Sequence, residues 1–310
     1  SIPVHCQEGR FLQSGFFSPE EAGPGVVNPQ VPDSPFSPRW LRLGGAVLHY
    51  MDEGLGTPPV LMLHGNPTWS FLYRGVVSRL RESFRCIVPD LPGYGYSLSP
   101  PGYGFTPQEH AAWLRSLLRE LQVEQFILAA QDWGGPIGLS LAVEHPEQVK
   151  GLVLANTWCW PPFGDARLFS LFMGGPWGRW LNLRHNVFPR FILPLGMSRR
   201  SRKRSTLQAY LRPFPSPESR FGVPVLAEHL RRSSDWLARL ERRLPRLKGL
   251  PVYLVWGIKD PIFGRRAYLD KWLSLFPEAY VDKVEKASHY LPEDAPERMA
   301  GAVRAVASLE

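Results

Sequence analysis

Long apolar runs are missing from this 310-residue sequence, because no stretch approaches the roughly 18 consecutive apolar residues of a membrane-spanning helix. The first residues also lack a basic head followed by an apolar segment, so we expect no secretory signal. Cysteine is scarce: Cys6, Cys86 and Cys159 are odd in number and far apart, which indicates neither a disulfide framework nor a metal site. We therefore expect a cytoplasmic protein without a membrane span.

Charged residues make up only 21% of the chain, whereas hydrophobic residues make up 44% and aromatic residues 12%. This balance excludes wholesale disorder and supplies enough apolar side chains for a sizeable core. Proline is frequent, with 32 residues, so the chain is expected to contain many rigid turns. The length fits one large α/β domain with an insertion.

The net charge of +8 does not indicate a nucleic-acid-binding protein, because the charge is confined to one segment. Residues 165–243 contain 16 basic and 5 acidic residues, so the remainder of the chain is slightly acidic. The densest part, SRRSRKRS at residues 198–205, is typical of a solvated helix face or loop. Self-association, or contact with an anionic surface, stays open for this segment. We expect no nucleic-acid partner.

Short β-type runs alternate with helical patterns after residue 38, and most of the runs are continuously apolar, which is typical of a parallel sheet covered on both faces. Two glycines at 44 and 45 predict a hairpin turn, and Thr106 is the predicted N-cap of a long helix. The alternation stops at residue 158 and resumes after 246. We predict an irregular lead-in over 1–38, an α/β core over 39–157 and 247–310, and a helical cap over 158–246, above the carboxyl ends of the strands.

The strongest motif is AAQDWGG, which joins a predicted strand to a predicted helix and centres on Asp132. The small residues Ala130, Gly134 and Gly135 around it are typical of a nucleophile elbow, in which a sharp turn holds one side chain above the sheet. A carboxylate is already ionised at neutral pH, so it needs no base to attack a saturated carbon. Asp132 is therefore the predicted nucleophile, and it would form an alkyl ester that water must hydrolyse.

Hydrolysis of that ester needs a base, and His289 follows the last predicted strand, where the chain order nucleophile, acid, histidine places it. Asp260, at the end of the strand pattern WGIKD, is the predicted acid that orients the imidazole. The preceding strand is followed by Asn156 and no carboxylate, so the sequence offers no rival acid there. The predicted triad is Asp132, His289 and Asp260.

The motif HGNPTWS at residues 64–70 ends another predicted strand, and its loop is expected beside the elbow. By position, the backbone N–H groups of Asn66 and Trp133 are the predicted oxyanion hole. Their side chains add an amide donor and an indole donor in the same place. Donors without an acid suit a leaving group that departs as a bare anion, as a halide does.

Together, HGNPTWS and QDWGG resemble the motifs of the haloalkane dehalogenases of the α/β-hydrolase superfamily, over nearly all of the chain after about residue 38. The resemblance implies an α/β-hydrolase fold: a mostly parallel sheet flanked by helices, with an inserted helical cap. It also implies a hydrolase that turns a haloalkane and water into an alcohol, a halide and a proton without cofactor or metal. Asn66 and Trp133 would bind the halide. The subgroup with an Asp-His-Asp triad and this Asn–Trp pair is the one resembled, and its members sometimes self-associate strongly, so a homo-oligomer stays open.

Epoxide hydrolysis is the alternative function, because epoxide hydrolases use the same kind of Asp nucleophile. Their alkoxide leaving group needs acidic donors, usually two cap tyrosines, whereas the predicted cap contains Tyr210 alone. A fluoroacetate dehalogenase would be expected to carry Arg at the position of Trp133, and a luciferase-like oxygenase Glu as the triad acid. A haloalkane requires an apolar pocket over the nucleophile, and the cap aromatics Phe169 and Phe172 are the residues predicted to line it.

Overall fold

The computed structural model describes residues 15–17 and 35–309, and its strands form one sheet. Their spatial order is β1-β2-β3-β5-β4-β6-β7-β8-β9. The first three strands and β5 pair antiparallel, and all pairs from β5 through β9 are parallel. The strands are β1 Gly15–Phe17, β2 Arg39–Leu43, β3 Ala46–Glu53, β4 Val60–Leu63, β5 Cys86–Pro89, β6 Phe126–Gln131, β7 Val149–Ala155, β8 Val252–Gly257 and β9 Tyr280–Val284.

Helices cover both faces of the sheet and fill the long connection between β7 and β8. Every residue of β4, β5 and β6 is buried, as two covered faces require. The helices are α1 Arg74–Leu80, α2 Pro107–Glu120, α3 Gly134–Glu144, α4 Gly164–Met173, α5 Pro176–His185, α6 Leu193–Leu195, α7 Arg204–Leu211, α8 Gly222–Arg232, α9 Ser234–Arg243, α10 Arg266–Leu275, α11 Leu291–Asp294 and α12 Pro296–Ala307.

Two local predictions are confirmed. Gly44 and Gly45 join β2 to β3 with φ values of +54° and +81°, which glycine adopts without steric cost. Thr106 caps α2: its hydroxyl accepts the N–H of Glu109, and the Glu109 carboxylate accepts the N–H of Thr106. Reciprocal capping satisfies donors that the first turn would otherwise leave unpaired.

Between β7 and β8, the described chain contains helices and turns but no strand. In this segment α4 packs against α5 and α8, and a π-helical turn over Phe188–Ile192 leads into α6. The predicted α/β-hydrolase architecture is thus confirmed, while the domain boundaries at 158 and 246 stay predictions. The irregular lead-in falls largely outside the described residues, although β1 lies within it and extends the sheet. No helix of the described chain is long and apolar enough to cross a membrane.

Candidate active site

The turn between β6 and α3 holds Asp132 in a backbone conformation that residues other than glycine rarely adopt. Its φ is +51°, in the left-handed region. The neighbouring glycines make this possible: a Cβ on Gly134 would overlap the carbonyl oxygen of Leu63, and a Cβ on Gly65 would overlap the Asp132 carboxylate. The strained turn and the close approach of the β4 loop therefore present one carboxylate at the carboxyl edge of the sheet.

His289 lies between two carboxylates that come from separate loops. Its Nδ1 lies 2.8 Å from Oδ2 of Asp260, and its Nε2 lies 3.5 Å from Oδ2 of Asp132. Burial disfavours the charged imidazole, but the Asp260 and Asp132 carboxylates outweigh it and raise the pKa of His289 to about 10. The structure thus brings together all three residues of the predicted triad.

Asp260 is buried and receives hydrogen bonds on both oxygens. Its Oδ1 accepts the backbone N–H groups of Ile262 and Phe263, and its Oδ2 accepts the side-chain amide of Asn156 at 2.9 Å. Asn156 is itself fixed to β8, because it also exchanges hydrogen bonds with both backbone groups of Gly257. The sequence shows only that Asn156 is not an acid; the structure shows that it holds the acid in place.

Asn66 and Trp133 stand beside the Asp132 carboxylate and direct their side-chain donors at one helix. The backbone N–H of Asn66 donates to Oδ1 of Asp132 at 2.8 Å. Its side-chain amide donates to the carbonyl oxygen of Val223 at 3.0 Å, and the Trp133 indole donates to that of Leu226 at 3.1 Å. Both acceptors belong to the first half of α8, so the two donors converge on that helix.

Two further polar residues at this site were not found from the sequence. The hydroxyl of Tyr94 donates to Oδ1 of Asn66 at 3.3 Å. The side-chain amide of Gln131 donates to the carbonyl oxygen of His289 at 3.0 Å and lies 3.1 Å from its Nε2. Gln131 precedes the nucleophile in the motif, and Tyr94 lies in PGYGYS, which has the form of an ordinary turn. Spacing alone gives neither contact.

A cavity of about 240 Å³ opens above the Asp132 carboxylate, and its other walls are mostly apolar. Phe169 lines it, as predicted. Phe172 does not: it is 61% exposed on the outer side of α4, so its predicted place in the pocket is wrong. Ser170, between them, donates to the Ala227 carbonyl of α8 and so fixes which side of α4 faces inward. The apolar wall consists of Phe169, Phe188, Ile192, Leu195, Ala227, Leu230, Pro261, Ile262 and Phe263.

Besides Asn66, Asp132, Trp133 and His289, the polar residues Asp260 and Tyr290 line this cavity. The Tyr210 hydroxyl donates to the Glu293 carboxylate at 2.8 Å, and Tyr210 is not part of the cavity wall. Within the described residues, no group of three or more His, Cys, Asp or Glu side chains could hold a metal ion. The polar lining of the cavity thus consists of the Asp132 and Asp260 carboxylates, the His289 imidazole, Tyr290, and the side chains of Asn66 and Trp133, whose N–H groups donate to carbonyls of α8.

Comparison with known proteins identifies the family to which this fold belongs. Residues 58–296 match the model of the α/β-hydrolase fold family. Haloalkane dehalogenase 2 of Mycobacterium tuberculosis is 38% identical over 272 residues, which cover 87% of this chain and 94% of that protein. A cis-3-alkyl-4-alkyloxetan-2-one decarboxylase of Shewanella oneidensis is 33% identical over 280 residues, 86% of each chain.

The structural comparison leads to the same group of enzymes. The crystal structure of haloalkane dehalogenase DbeA from Bradyrhizobium elkani superposes with a TM-score of 0.80 and 26% sequence identity, covering 89% of this chain and all of that one. These comparisons give no support to epoxide hydrolysis. The chain belongs to the α/β-hydrolase family, and within it the chain is a haloalkane dehalogenase-like hydrolase.

Proposed function

We propose that this protein hydrolyses haloalkanes through a covalent ester on Asp132. The observation that carries the proposal is the chain of contacts from Asp132 through His289 to Asp260 beneath an apolar cavity. The products are an alcohol, a halide and a proton, and the reaction uses no cofactor or metal. A cytoplasmic location belongs to the same proposal and is supported by the free, buried thiols of Cys86 and Cys159.

In the first step, Oδ2 of Asp132 attacks the halogen-bearing carbon, and the carbon–halogen bond breaks with its electron pair on the halide. Oδ2 is the attacking atom in this scheme because Oδ1 already accepts the N–H of Asn66. The Trp133 indole and the Asn66 amide stabilise the departing ion. To do so they must turn from the α8 carbonyls of Val223 and Leu226, which they meet in the structure, toward the cavity that their side chains line.

In the second step, water attacks the ester carbonyl while His289 removes its proton. Alkylation cancels the negative charge of Asp132, one of the two charges that raise the pKa of His289. The imidazole can then release a proton to solvent and act as a base, held in orientation by Asp260. The N–H groups of Asn66 and Trp133 hold the oxyanion that forms on Oδ1. When this intermediate collapses, the bond between Cγ and Oδ2 breaks, Oδ2 leaves with the alkyl group and takes the proton from His289 to form the alcohol, and the Asp132 carboxylate is regenerated with an oxygen from water and the release of one proton.

We infer one second candidate, the decarboxylation of a β-lactone, which is favoured by the same donors. Attack of Asp132 on the sp3 ring carbon would open the lactone and form an ester with Asp132. The group displaced from that carbon is a carboxylate, which, like a halide, needs no acid to leave. Loss of CO2 from this carboxylate would then form an alkene and release Asp132 from the ester without water. The size of the cavity favours haloalkanes, since about 240 Å³ is below the roughly 300–1,000 Å³ typical of sites for larger ligands.

Halide release from short and long bromo- and chloroalkanes tests the proposal, with a simple epoxide and a cis-dialkyl oxetanone assayed in parallel. We expect halide and alcohol in equal amounts, most rapidly from short bromoalkanes, and none from Asp132→Ala. An alkene from the oxetanone without halide from any haloalkane would favour the second candidate. Inactivity of the folded protein toward all haloalkanes would reject the first.

A further inference from the structure

The helical segment between β7 and β8 exposes several large apolar side chains. Six of them, each between 50% and 75% exposed, lie on α4, on α5 and in the π-helical turn. Scattered single apolar residues on a surface are normal, but contiguous groups mark sites of interaction. We name this surface the apolar cap face, and its members are Leu168, Leu171, Phe172, Trp177, Trp180 and Phe191.

These side chains lie on elements that contact one another. Leu168, Leu171 and Phe172 share one face of α4 by their spacing of three and four residues. The rings of Trp177 and Trp180, one turn apart on α5, are 6.4 Å apart. α4 packs against α5. On its inner side α4 contacts the π-helical turn, where the ring centroids of Phe169 and Phe188 are 5.4 Å apart. The apolar side chains therefore belong to one packed unit.

The same part of the chain is strongly cationic. Residues 165–204 contain nine Lys and Arg and one acidic residue, Asp165, which pairs with Arg265 of the core. Arg167, Arg184 and Arg190 are exposed on the elements that carry the apolar cap face, and no carboxylate of the described residues pairs with them. The positive charge is thus available to a ligand that brings negative charge of its own.

A basic groove of about 890 Å³ continues this cationic surface beside the active site. Seven Lys and Arg residues outnumber three carboxylates in its lining: Arg199, Arg200 and Arg202 follow α6, Lys259, Lys283, Lys286 and Arg298 belong to the core, and the carboxylates are those of Glu285, Asp294 and Glu297. Leu195 lines both this groove and the cavity above the Asp132 carboxylate, and it is 63% exposed. The groove, the cavity and the exposed surface therefore meet at Leu195.

We propose that the apolar cap face docks on the surface of an anionic phospholipid bilayer. Helices with Trp, Phe and Leu on one side and Arg around them lie in the interface of a membrane, where the apolar side chains enter the acyl boundary. Anionic headgroups attract juxtaposed Lys and Arg side chains. The groove lined by Arg199 and Arg200 takes headgroup phosphates, and Leu195 places the opening of the cavity next to the lipid.

A second copy of the chain fits this face less well than a bilayer does. A twofold dimer buries the same patch on both subunits, so it would place one cationic segment against another. An anionic lipid surface brings the opposite charge together with apolar depth. Docking is independent of the reaction at Asp132, because it rests on exposed groups outside the catalytic contacts.

Sedimentation with vesicles tests the proposal on the full chain. We expect the protein to pellet with vesicles of equal parts phosphatidylcholine and phosphatidylglycerol, to bind pure phosphatidylcholine weakly, and to be released by high salt. Lipids with a nitroxide on the acyl chain should quench tryptophan fluorescence, since Trp177 and Trp180 are the exposed indoles of the described chain. Adsorption by charge alone would leave this fluorescence unquenched and would overturn the insertion of the apolar cap face.

Paired variants separate the apolar and the electrostatic contributions. Trp177→Ser with Trp180→Ser, and separately Arg199→Glu with Arg200→Glu, should each weaken binding to the anionic vesicles roughly tenfold or more. The matched apolar control is Leu55→Ser, 94% exposed in the loop before β4. The matched charge control is Arg119→Glu with Lys248→Glu, near the end of α2 and before β8, at the edge of the sheet where the parallel strands begin. Both controls should bind like the wild type.

Three results would overturn the proposal. One is equal binding of the wild type to neutral and anionic vesicles, and another is unchanged binding by both paired variants. The third combines two observations. The wild type is an oligomer by light scattering after size exclusion and does not bind vesicles, whereas the Trp177→Ser/Trp180→Ser variant is a monomer. In that case the apolar cap face is an interface between copies of the chain. Circular dichroism of each variant verifies its fold.

Discussion

The hydroxyl of Tyr94 donates to Oδ1 of Asn66 at 3.3 Å, and both side chains are buried beside Asp132. An amide whose oxygen accepts this bond must turn its NH2 group the other way, and here that group faces the carbonyl of Val223 on α8. Tyr94 thus sets the direction of a donor that we assign to halide binding. Its role is to position Asn66, since it does not line the cavity.

Tyr94→Phe should weaken halide binding roughly three- to tenfold, because one buried neutral hydrogen bond contributes about 1 kcal/mol. The measurement is the inhibition of alcohol formation by added bromide. Tyr103→Phe is the matched control, since that hydroxyl contacts His110 and not Asn66. An unchanged bromide inhibition constant in Tyr94→Phe would show that Asn66 needs no such partner.

His289→Ala should stop the reaction after the first step, because the ester forms without a base but needs one to be hydrolysed. Intact-protein mass spectrometry after incubation with 1,2-dibromoethane should show a single bromoethyl adduct, and peptide mapping should place it on Asp132. The double variant His289→Ala/Asp132→Ala should stay unmodified. If His289→Ala binds substrate and remains folded but carries no adduct, the covalent scheme is wrong.

Asp132→Asn should lower the pKa of His289. In the wild type the Asp260 and Asp132 carboxylates raise that pKa to about 10 against the effect of burial, and the variant removes the charge of one of them. NMR titration of the imidazole should therefore show the proton lost at lower pH in Asp132→Asn.

The raised pKa of His289 also makes the free energy of unfolding depend on pH. The contribution of the charged imidazole is fully present below its unfolded pKa of about 6.5, and it is lost as pH rises toward 10.

Glu285→Gln is the control for that titration, because this exposed carboxylate lies in the basic groove and does not contact His289. It should leave the imidazole titration where the wild type has it. A titration that is the same in Asp132→Asn and in the wild type would mean that the nucleophile does not interact electrostatically with the base. The second step of the proposed mechanism would then lose its physical reason.

The sequence predicts best what depends on local geometry. An elbow needs small residues at fixed positions, so AAQDWGG identifies Asp132, and the chain order of such sites leads to Asp260 and His289. The predicted N-cap at Thr106 depends on the same kind of local requirement, because a capping box is complete within four residues. Parallel strands bring their carboxyl ends to one edge, which is why residues more than a hundred positions apart could be predicted to meet.

What the sequence could not give depends on how distant elements pack. Phe169 and Phe172 are one turn apart on α4, and the helix pattern alone does not distinguish which of them faces inward. The hydrogen bond from Ser170 to the Ala227 carbonyl decides it. The contact of the Trp133 indole with Leu226 spans 93 residues and depends on where α8 comes to lie. The role of Tyr94 could not be predicted, because its motif is typical of a turn and its partner Asn66 lies on another loop.

Buried neutral histidines should make the protein less stable in acid. Burial lowers the pKa of His110 to about 3, whereas an unfolded imidazole takes up a proton near pH 6.5. Between these values the unfolded chain binds more protons, so the free energy of unfolding should fall as pH falls. This histidine alone accounts for a slope of up to about 1.4 kcal/mol per pH unit.

His110→Leu should reduce that slope, and urea unfolding at a series of pH values between 4 and 7 measures it. The variant also loses the contact with the Tyr103 hydroxyl, at 2.9 Å. This loss lowers the free energy of unfolding by the same amount at every pH and leaves its slope against pH unchanged. Tyr103→Phe removes the same hydrogen bond and keeps the imidazole, so its curve should retain the slope of the wild type. Parallel curves for His110→Leu and the wild type would mean that other groups cause the acid sensitivity.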